Sequence, residues 1–514
     1  MDLGTMFDFV VERTPDRLAI VDGDQRLTYA EWRRRVDRLA NGLRARGVRP
    51  GDRVLIGLRT GEPHATLFLA LQKLGAVAVP FNPRLKEGGV AYHIQDAEPC
   101  AVVFEPLTCE TVLAATRGAP VPLRLFDGGR PPAGVVSLAQ LVEDSPDTDP
   151  GVTVDDSALS VILYTSGTTG QPKGVPITHR TGLARMFTVM LAHGLRHGEG
   201  DRFVGAMPLY HTIGLHGVLL PSLYLNATYY AVRDFVPSSV LDLIEREHLT
   251  FLFASPTHFH MLLSQPDFTA RDVRSVRDLV YAGAPMAREL LQRVVAQMTA
   301  NLTHIYGNTE AYVGFYFRNA GRKPGALRMG VQSRTRIVRL GGGPEDLVEP
   351  GREGELIADI RADEAFAGYW HKPQETARAV RDGWYFTGDV AYQDAEGDLF
   401  ITGRVDDMII SGGENIHPAE VEDVLLAHPK VRDAAVVGLP HERWGQVVVA
   451  CVARADASLD EAEVDRHCLQ SRLLPDFKRP RQVFFIEEIP RNASGKVLRF
   501  QVREWLAQHT PTEA

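Results

Sequence analysis

The sequence predicts an α/β protein of mixed α+β character. A large N-terminal domain of α/β sheets with a β-rich distal part is followed by a small, mobile C-terminal α+β domain. Three observations lead to this prediction. Amphipathic helical patterns alternate with short apolar runs over the first 300 residues, which is typical of sheets covered by helices. Gly/Asp turns separate short strands between residues 340 and 403, and the helix–strand alternation resumes after residue 404.

The N-terminal elements follow from local patterns. Thr28 and Glu31 have the spacing of a capping box, and apolar residues continue at helical spacing to Leu43. Strands are then predicted at 53–58, 76–80, 161–164, 250–254 and 279–282, and helices at 64–74, 238–247 and 286–298. Residues 128–156 are rich in Gly, Pro and Asp and are predicted to form a loop-rich connection.

The C-terminal part is predicted to form a separate unit of about 100 residues, within the usual range of domain sizes. Helices are expected at 418–428 and 460–471, and strands at 434–439 and 447–453. We therefore predict a domain at 1–403, a hinge at 404–407 and a second domain at 408–514.

A polar stretch, Thr165–Gly174, reads TSGTTGQPKG and follows the apolar run Val161–Tyr164. Glycines let backbone N–H groups turn toward an anion, hydroxyls add donors, and Lys173 adds positive charge. This chemistry suits a polyphosphate, although a surface turn has a similar composition. The spacing does not match a Walker A loop.

Composition argues against several classes of protein. The net charge of −9 disfavours a nucleic-acid-binding surface. No apolar run approaches the ~18 residues of a membrane span, and the N-terminus lacks the apolar core of a secretory leader. The four cysteines lack metal-binding spacing, which indicates free thiols. We expect a cytoplasmic protein with no membrane span and no nucleic-acid partner.

Six further motifs follow in a fixed order: PLYHTIG (208–214), YAGAPM (281–286), YGNTE (306–310), WYFTGD (384–389), GRVDDMIISGGENIHP (403–418) and PRNASGK (490–496). Together with the polar loop, they resemble the adenylate-forming superfamily of acyl-CoA synthetases, luciferases and peptide-synthetase adenylation domains. The resemblance extends from Thr28 to Lys496. Within the superfamily, runs such as NPRLK, GLRHG and DFKRP most resemble the 4-chlorobenzoate–CoA ligases.

The resemblance implies an ATP-dependent carboxylic acid–CoA ligase that acts through an acyl-adenylate and releases AMP and pyrophosphate. Its co-substrates would be ATP and coenzyme A, with Mg²⁺ as the metal. The phosphate loop would hold the β- and γ-phosphates through Thr165, Ser166, Gly167, Thr168, Thr169 and Lys173. The adenosine would be held by Gly283, Ala284, Pro285, Tyr306, Asp389 and Arg404, with Asp389 accepting from the ribose hydroxyls.

The catalytic residues implied by the resemblance are Lys496, His211, Glu310 and Thr309. Thr309 would contact the α-phosphate, Glu310 would hold Mg²⁺, and Lys496 would reach the α-phosphate and the substrate carboxylate. The context of Lys496 is similar to sites of reversible acetylation in acyl-CoA synthetases. We therefore expect that a lysine acetyltransferase could act on Lys496. A second copy of the chain, in a homodimer, is the other macromolecular partner expected.

The two-step reaction implies that the small domain rotates about a short pivot, and the resemblance places this pivot at Asp406. By resemblance, the CoA-binding residues would be Arg84, Gly412, Gly413, Trp444, Phe477, Arg479 and Arg481. Arginine forks suit phosphates and aromatic rings can stack on adenine, but each residue alone is also compatible with a solvated rim.

By resemblance, the acid pocket would contain Thr188, His211, Thr212, Ile213, Phe253, Tyr281, Ala282, Tyr312 and Val313. His211 and Phe253 would flank a slot for a flat or compact ring. Tyr312 and Val313 depart from the pattern of the 4-chlorobenzoate enzymes and would reshape the distal end. We therefore expect an aryl acid of the benzoate or halobenzoate type, or an alicyclic carboxylate. A medium-chain fatty acid–CoA ligase and a stand-alone enzyme loading a carrier protein remain alternatives, as does a non-catalytic nucleotide-binding protein.

Overall fold

Two large sheets form the N-terminal part of the chain in the computed structural model. The structure describes residues 1–119, 121–165, 171–195, 197, 200–299, 301–411, 414–471, 474–491 and 497–509, and only the backbone of Val313 and Asn415. Helices lie between the sheets and on their outer faces, so the predicted α/β class is confirmed.

The larger sheet has nine strands, and its six central strands are parallel. From one edge to the other, the strands are Arg328–Met329, Tyr312–Phe317, Leu302–Asn308, Asp278–Tyr281, Phe251–Ala254, Arg202–Gly205, Thr228–Ala231, Leu18–Asp22 and Gln25–Thr28. The carboxyl ends of the parallel strands share one edge, which is where open α/β sheets bind ligands.

The second sheet has seven strands, of which only the last is antiparallel to its neighbour. Its order is Val136–Ser137, Leu123–Phe126, Ala101–Phe104, Arg53–Gly57, Val77–Pro80, Leu159–Thr165 and Lys173–Thr178. The last two strands form a hairpin that carries the predicted phosphate loop at its turn.

The helices of the N-terminal part are Leu3–Arg13, Tyr29–Ala45, Glu62–Leu74, Glu87–Ala97, Cys109–Gly118, Leu138–Glu143, His179–His193, Leu220–Tyr224, Pro237–Glu247, Pro256–Leu263, Arg288–Gln297 and Pro373–Ala379. A π-helix spans Ile213–Leu219, and a 3₁₀ turn spans Phe268–Ala270. The predicted capping box is present: Thr28 Oγ1 accepts from Glu31 N, and Glu31 accepts from Thr28 N at 2.8 Å.

Side-chain alternation along the strands divides the N-terminal core into layers. Val54 and Ile56 face a core shared by both sheets, whereas Leu55 between them faces helices on the outer side. In the larger sheet, Phe253 faces the shared core and Leu252 faces a separate outer cluster. This period of two is expected of strands that are buried on both faces.

One predicted loop contains regular structure. The segment 128–156 includes the strand Val136–Ser137 and the helix Leu138–Glu143. The prediction of a loop-rich connection was therefore wrong over these residues. Ser137 caps the helix by accepting from Gln140 N, and Leu138 and Leu141 are buried, so tertiary packing stabilises a helix too short to form alone.

The β-rich distal part is an antiparallel sheet, as predicted. Its strands are Thr335–Val338, Gly354–Asp359, Val380–Arg381, Trp384–Gln393 and Leu399–Arg404. The C-terminal sheet contains Ile409–Ser411, Glu414–Ile416, Val431–His441, Gly445–Arg454 and Gln482–Phe485. Its faces are covered by the helices Pro418–Leu426, Glu461–Gln470 and Arg499–His509, and a 3₁₀ turn spans Asp476–Lys478. Residues 405–408 connect the strand Leu399–Arg404 of the β-rich sheet to the strand Ile409–Ser411 of the C-terminal sheet.

No helix within the described residues combines the length and the apolarity needed to cross a bilayer.

A buried lysine connects several N-terminal elements and gives a test of the fold. Lys73 Nζ, on a side chain only 3% exposed, contacts Asp37 at 2.6 Å, Asp8 at 2.9 Å and Asp149 at 2.9 Å. We expect Lys73→Met to lower the free energy of unfolding by about 3–5 kcal/mol, because the buried carboxylate of Asp37 is left with only the more distant Arg33, at 3.7 Å, as a cationic partner.

Urea unfolding of both proteins measures this difference. The matched control is Asp149→Asn, which removes the most exposed of the three partners and should cost no more than about 1 kcal/mol. Equal stability of Lys73→Met and the wild type would show that the cluster does not stabilise the fold.

Candidate active site

The predicted phosphate loop joins two paired strands. Thr165 and Lys173 face each other across the hairpin, and Thr165 Oγ1 donates to the Lys173 carbonyl at 3.5 Å. Ser166, Gly167, Thr168 and Thr169 lie outside the described residues. The two ends of the loop are nevertheless fixed by the antiparallel ladder at the carboxyl end of the strand Leu159–Thr165.

Lys173 lies beside a chain of polar groups that leads to Glu310. Its Nζ is 5.0 Å from the centroid of the Tyr369 ring, and the Tyr369 hydroxyl donates to Glu310 Oε1 at 2.8 Å. Burial, together with Glu310, raises the pKa of Tyr369, so this phenol remains a donor at neutral pH. Trp370 N donates to Gly174 O at 2.8 Å and ties this segment to the phosphate hairpin.

Glu310 sits in a tight turn between the antiparallel strands Leu302–Asn308 and Tyr312–Phe317. Asn308 Oδ1 accepts from Ala311 N at 2.7 Å and closes the turn, and the Glu310 carbonyl accepts from Phe366 N at 2.8 Å. The Glu310 residue is 7% exposed. Among the described residues, only Tyr369 donates to its carboxylate, so Oε2 is left for another ligand.

A second cluster lies nearby on the β-rich sheet. Asp389 pairs with Arg404 across two antiparallel strands, and Arg404 Nη1 donates to Asp389 Oδ1 at 3.0 Å. The Tyr306 hydroxyl donates a short hydrogen bond to Asp389 Oδ2. Burial and the neighbouring carboxylate raise the pKa of Tyr306 well above its ordinary value. Burial opposes ionisation of Arg404, but Asp389 outweighs it and raises the pKa of this guanidinium.

Gly388 explains the glycine in the WYFTGD motif. Its φ of +71° lies in the left-handed region, and a Cβ at this position would be 2.8 Å from Arg404 Nη2. Any larger residue would therefore displace the guanidinium that contacts Asp389.

The predicted adenine-binding residues follow the strand Asp278–Tyr281 at its carboxyl end. Gly283 adopts a φ of +87°, and no atom lies within 4 Å of the position that a Cβ would take there. Gly283 and Pro285 are exposed and Ala284 is half-buried, which leaves a surface open to a ligand on this edge of the sheet.

Most predicted acid-pocket residues lie in or beside the shared core. Ile213, Phe253, Ala282 and Tyr312 pack in one apolar cluster. The Thr188 hydroxyl donates to Glu364 Oε2 at 2.7 Å, and Thr212 Oγ1 lies 3.0 Å from His216 Nδ1. The side chain of Val313 is outside the described part of the chain.

Tyr281 is not brought together with this group. Its ring stacks on His304 with centroids 4.4 Å apart, and it belongs to the outer cluster on the opposite side of the sheet from Phe253. Because neighbouring strand residues alternate between faces, Ala282 rather than Tyr281 lies with the shared core.

His211 stands at the entrance to the π-helix Ile213–Leu219. Burial lowers the pKa of His211 to about 4, so the imidazole is neutral at physiological pH. Gly214 in the same motif is required by packing, since a Cβ there would meet Pro208 O at 2.2 Å. π-helical segments recur at functional sites because they redirect side chains.

The predicted CoA residues are only partly brought together. Arg481 Cζ lies 5.9 Å from the centroid of the Trp444 ring, which also stacks on His441. Arg479 Nε is paired with Asp465 at 2.7 Å, whereas Phe477 is 43% exposed. Arg84 is exposed on the polar turn after Pro80, and Gly412 and Gly413 lie outside the described residues.

Two further predicted residues belong to the pivot and to the activation step. Asp406, the predicted pivot, is exposed in the connecting turn, and Lys496, the predicted catalytic lysine, is outside the described part of the chain.

Comparison with known proteins agrees with this geometry. The AMP-binding enzyme family model matches residues 7–370, and the AMP-binding enzyme C-terminal domain matches residues 420–496. The chain therefore belongs to the AMP-binding enzymes, the adenylate-forming family of acyl-CoA synthetases.

Individual relatives cover almost the whole chain. It is 36% identical to the 4-chlorobenzoate–CoA ligase of an Arthrobacter species, over 98% of this chain and 96% of that protein. It is 38% identical to the feruloyl-CoA synthase of an Amycolatopsis species, over 95% of this chain and 96% of that protein. The structure of the anthranilate CoA ligase AuaEII with anthranoyl-AMP matches with a TM-score of 0.91 and 26% identity, over 99% and 98% of the two chains.

Two residues of the site were missed from the sequence. Tyr369 hydrogen-bonds Glu310, and Arg185 contacts the carbonyls of Thr309 and Glu310. Tyr369 follows Gly368, whose φ of +140° marks a sharp turn. The sequence Gly-Tyr-Trp could therefore have indicated a turn that exposes an aromatic residue to the site. Arg185 gave no signal, because an arginine on a helix is normally solvated.

Proposed function

We propose that this enzyme activates a carboxylic acid with ATP and transfers the acyl group to coenzyme A. The carboxylate attacks the α-phosphate, pyrophosphate leaves, and an acyl-adenylate forms. The CoA thiol then attacks the acyl carbon and displaces AMP. The observation that carries the proposal is the adjacency of the Tyr306–Asp389–Arg404 cluster and the Lys173–Tyr369–Glu310 chain. Tyr306 lies on the strand Leu302–Asn308, and Glu310 lies in the turn that directly follows this strand.

One cluster would bind the ribose of ATP, and the other would lie beside its phosphates. Asp389, held by Arg404 and Tyr306, is placed to accept from ribose hydroxyls, as a fixed carboxylate does in nucleotide sites. Lys173 supplies positive charge where the pyrophosphate forms. Thr309 and Lys496 would donate to the α-phosphate, and acetylation of Lys496 would remove that charge.

Glu310 fits a magnesium site. Hard cations prefer carboxylate and phosphate oxygens, and Mg²⁺ commonly uses one or two carboxylates together with substrate phosphates. The Tyr369 hydrogen bond orients Oε1, and Oε2 is the ligand that Glu310 would offer. When bound, the metal would neutralise charge on the phosphates.

Coenzyme A would bind across the two domains. Trp444 and Arg481 present a ring and a guanidinium on one side, and the exposed Arg84 offers a second cation. Gly412 and Gly413 would approach the thiol after rotation about Asp406. Arg479 is paired with Asp465, so it could bind a CoA phosphate only through the donors that this ion pair leaves available.

The acid pocket supports an aryl or alicyclic substrate of the benzoate or halobenzoate size. Tyr312 is 3% exposed and lines a cavity of about 20 Å³ that could hold about one water molecule, so its ring would limit the length of the pocket at its distal end. Phe253, which belongs to the shared apolar core, and the neutral ring of His211 would flank the ring of the acid. The names of the three relatives above all specify aromatic acids, which favours the same class.

The proposal is tested by measuring AMP and acyl-CoA with a panel of benzoates, halobenzoates, cyclohexanecarboxylates, and medium- and long-chain fatty acids. We expect the highest kcat/KM for a single-ring acid, with AMP release saturating in CoA. A preference for fatty acids would contradict the acid assignment. Transfer to a carrier-protein pantetheine with no saturation by free CoA would instead support a carrier-loading enzyme.

A further inference from the structure

Arg185 is a fully buried arginine that lies against both sides of the active site. It belongs to the helix His179–His193 and is 0% exposed. Burying a charge is costly unless hydrogen bonds replace its water shell. Within the described residues, no carboxylate forms an ion pair with Arg185, and its donors go instead to backbone carbonyls and a hydroxyl.

Those acceptors come from three separate segments. Arg185 Nη2 donates to Thr309 O at 2.9 Å and, more weakly, to Glu310 O at 3.5 Å. Its Nε donates to Glu364 O at 2.9 Å, and Nη1 lies 3.4 Å from Thr212 Oγ1. A guanidinium is a rigid planar fork, so these contacts fix the relative positions of the three segments.

The same guanidinium contacts the acid pocket. Arg185 Cζ lies 5.0 Å from the centroid of the Tyr312 ring, a distance suited to a cation–π interaction. Tyr312 adopts a φ of +61°, which is unfavourable for a bulky residue and persists only where the surroundings hold it. Arg185 therefore supports the ring of Tyr312, which the proposed function assigns to the acid pocket.

The charge on Arg185 persists in this environment. Burial lowers its pKa to about 10, which still leaves the side chain protonated at neutral pH. Glu364 is one of the acidic residues that favour the protonated, charged form of Arg185. Its own carboxylate accepts from Thr188 and Ser333, and burial raises its pKa. The guanidinium donates to the carbonyls of Thr309 and Glu310, so its role includes orienting this turn as well as filling space in the core.

We propose that Arg185 is a positioning residue that holds the turn containing Thr309, Glu310 and Tyr312 against the segments of Glu364 and Thr212. It thereby couples the metal and α-phosphate side of the site to the acid pocket, without contacting either substrate. This inference rests on the proposed function, because it assumes that Glu310 and Thr309 serve the activation step.

The test is Arg185→Lys, which keeps the charge and loses the planar fork. We expect carboxylate-dependent ATP–pyrophosphate exchange to fall about 10²-fold, the size of effect seen when catalytic groups shift by about 1 Å. The free Mg²⁺ concentration at half-saturation should rise about tenfold, equivalent to about 1.4 kcal/mol. The KM for the acid should rise as well, because Tyr312 loses its partner.

A matched control lies on the same helix. Arg180 is 60% exposed and pairs with Asp156 on the surface, so Arg180→Lys should leave all three constants at wild-type values. As a second variant, Arg185→Ala should regain exchange when guanidinium is added at low concentration, because the cation can occupy the space that the side chain leaves.

The outcomes separate this inference from the proposed function. If wild-type enzyme gives no acid-dependent exchange with any acid, the proposed function is wrong. If Arg185→Lys gives wild-type exchange, or loses rate only in proportion to its folded fraction with unchanged Mg²⁺ dependence, the positioning role is wrong. Failure of both Arg185 variants to fold would assign the residue to stability alone and would also contradict the inference.

Discussion

Replacing Lys496 by alanine is expected to lower carboxylate-dependent ATP–pyrophosphate exchange by about 10²–10³-fold, the usual effect of removing one positioned donor from a developing charge. The lysine ammonium would stabilise the negative charge that builds on the α-phosphate. The residues that flank its loop, Arg491 and Val497, pair in a β-bridge, and Arg491 Nη2 contacts Asp433 at 2.7 Å. The two described residues on either side of 492–496 are therefore held together.

This effect should be confined to the first half-reaction. Formation of acyl-CoA from supplied acyl-adenylate should remain near the wild-type rate, because the proposed mechanism assigns Lys496 no part in the attack of the thiol. Lys430→Ala is the matched control, since Lys430 belongs to the same domain and pairs with Glu463 at 2.9 Å, away from the site. Undiminished exchange by Lys496→Ala would remove this residue from the mechanism.

Glu310→Gln is expected to reduce the same exchange at least about 10²-fold, because a metal ion that stabilises transition-state charge contributes several kcal/mol. The amide oxygen of glutamine can still accept from the Tyr369 hydroxyl, so the turn should keep its shape. The substitution removes mainly the negative charge, and the half-saturating Mg²⁺ concentration should rise steeply.

Tyr369→Phe provides the comparison for Glu310→Gln. It keeps the carboxylate and removes one hydrogen bond, which is worth about 1 kcal/mol, so exchange should fall less than about tenfold. Titration of exchange against free Mg²⁺ distinguishes the two variants. If Glu310→Gln and the wild type had the same Mg²⁺ curve, Glu310 would not be the metal ligand.

Local sequence patterns predicted most of the fold because they reflect local physics. The capping box at Thr28 and Glu31 satisfies N–H groups within four residues of each other, and the predicted strand at 53–58 is observed at Arg53–Gly57. The short helix Leu138–Glu143 was missed because its stability comes from the burial of Leu138 and Leu141 against distant elements.

The active site was predicted mainly through family resemblance, and its supporting contacts were not predicted. Asp389 and Arg404 lie in recognisable motifs, and the structure shows that they form a hydrogen-bonded pair. Arg185, however, contacts residues 124 and 179 positions away, and no local pattern encodes such pairs. Tyr281 illustrates the same limit: its adjacency to Ala282 did not indicate which face of the strand its ring would occupy.

An oxygen-labelling measurement tests the central claim most directly. The best acid from the panel, carrying ¹⁸O in both carboxylate oxygens, is incubated with enzyme, ATP and CoA, and the products are analysed by mass spectrometry. Attack on the α-phosphate predicts one ¹⁸O in AMP, one in the thioester carbonyl and none in pyrophosphate. Label in orthophosphate together with ADP, or AMP without label, would contradict an acyl-adenylate intermediate.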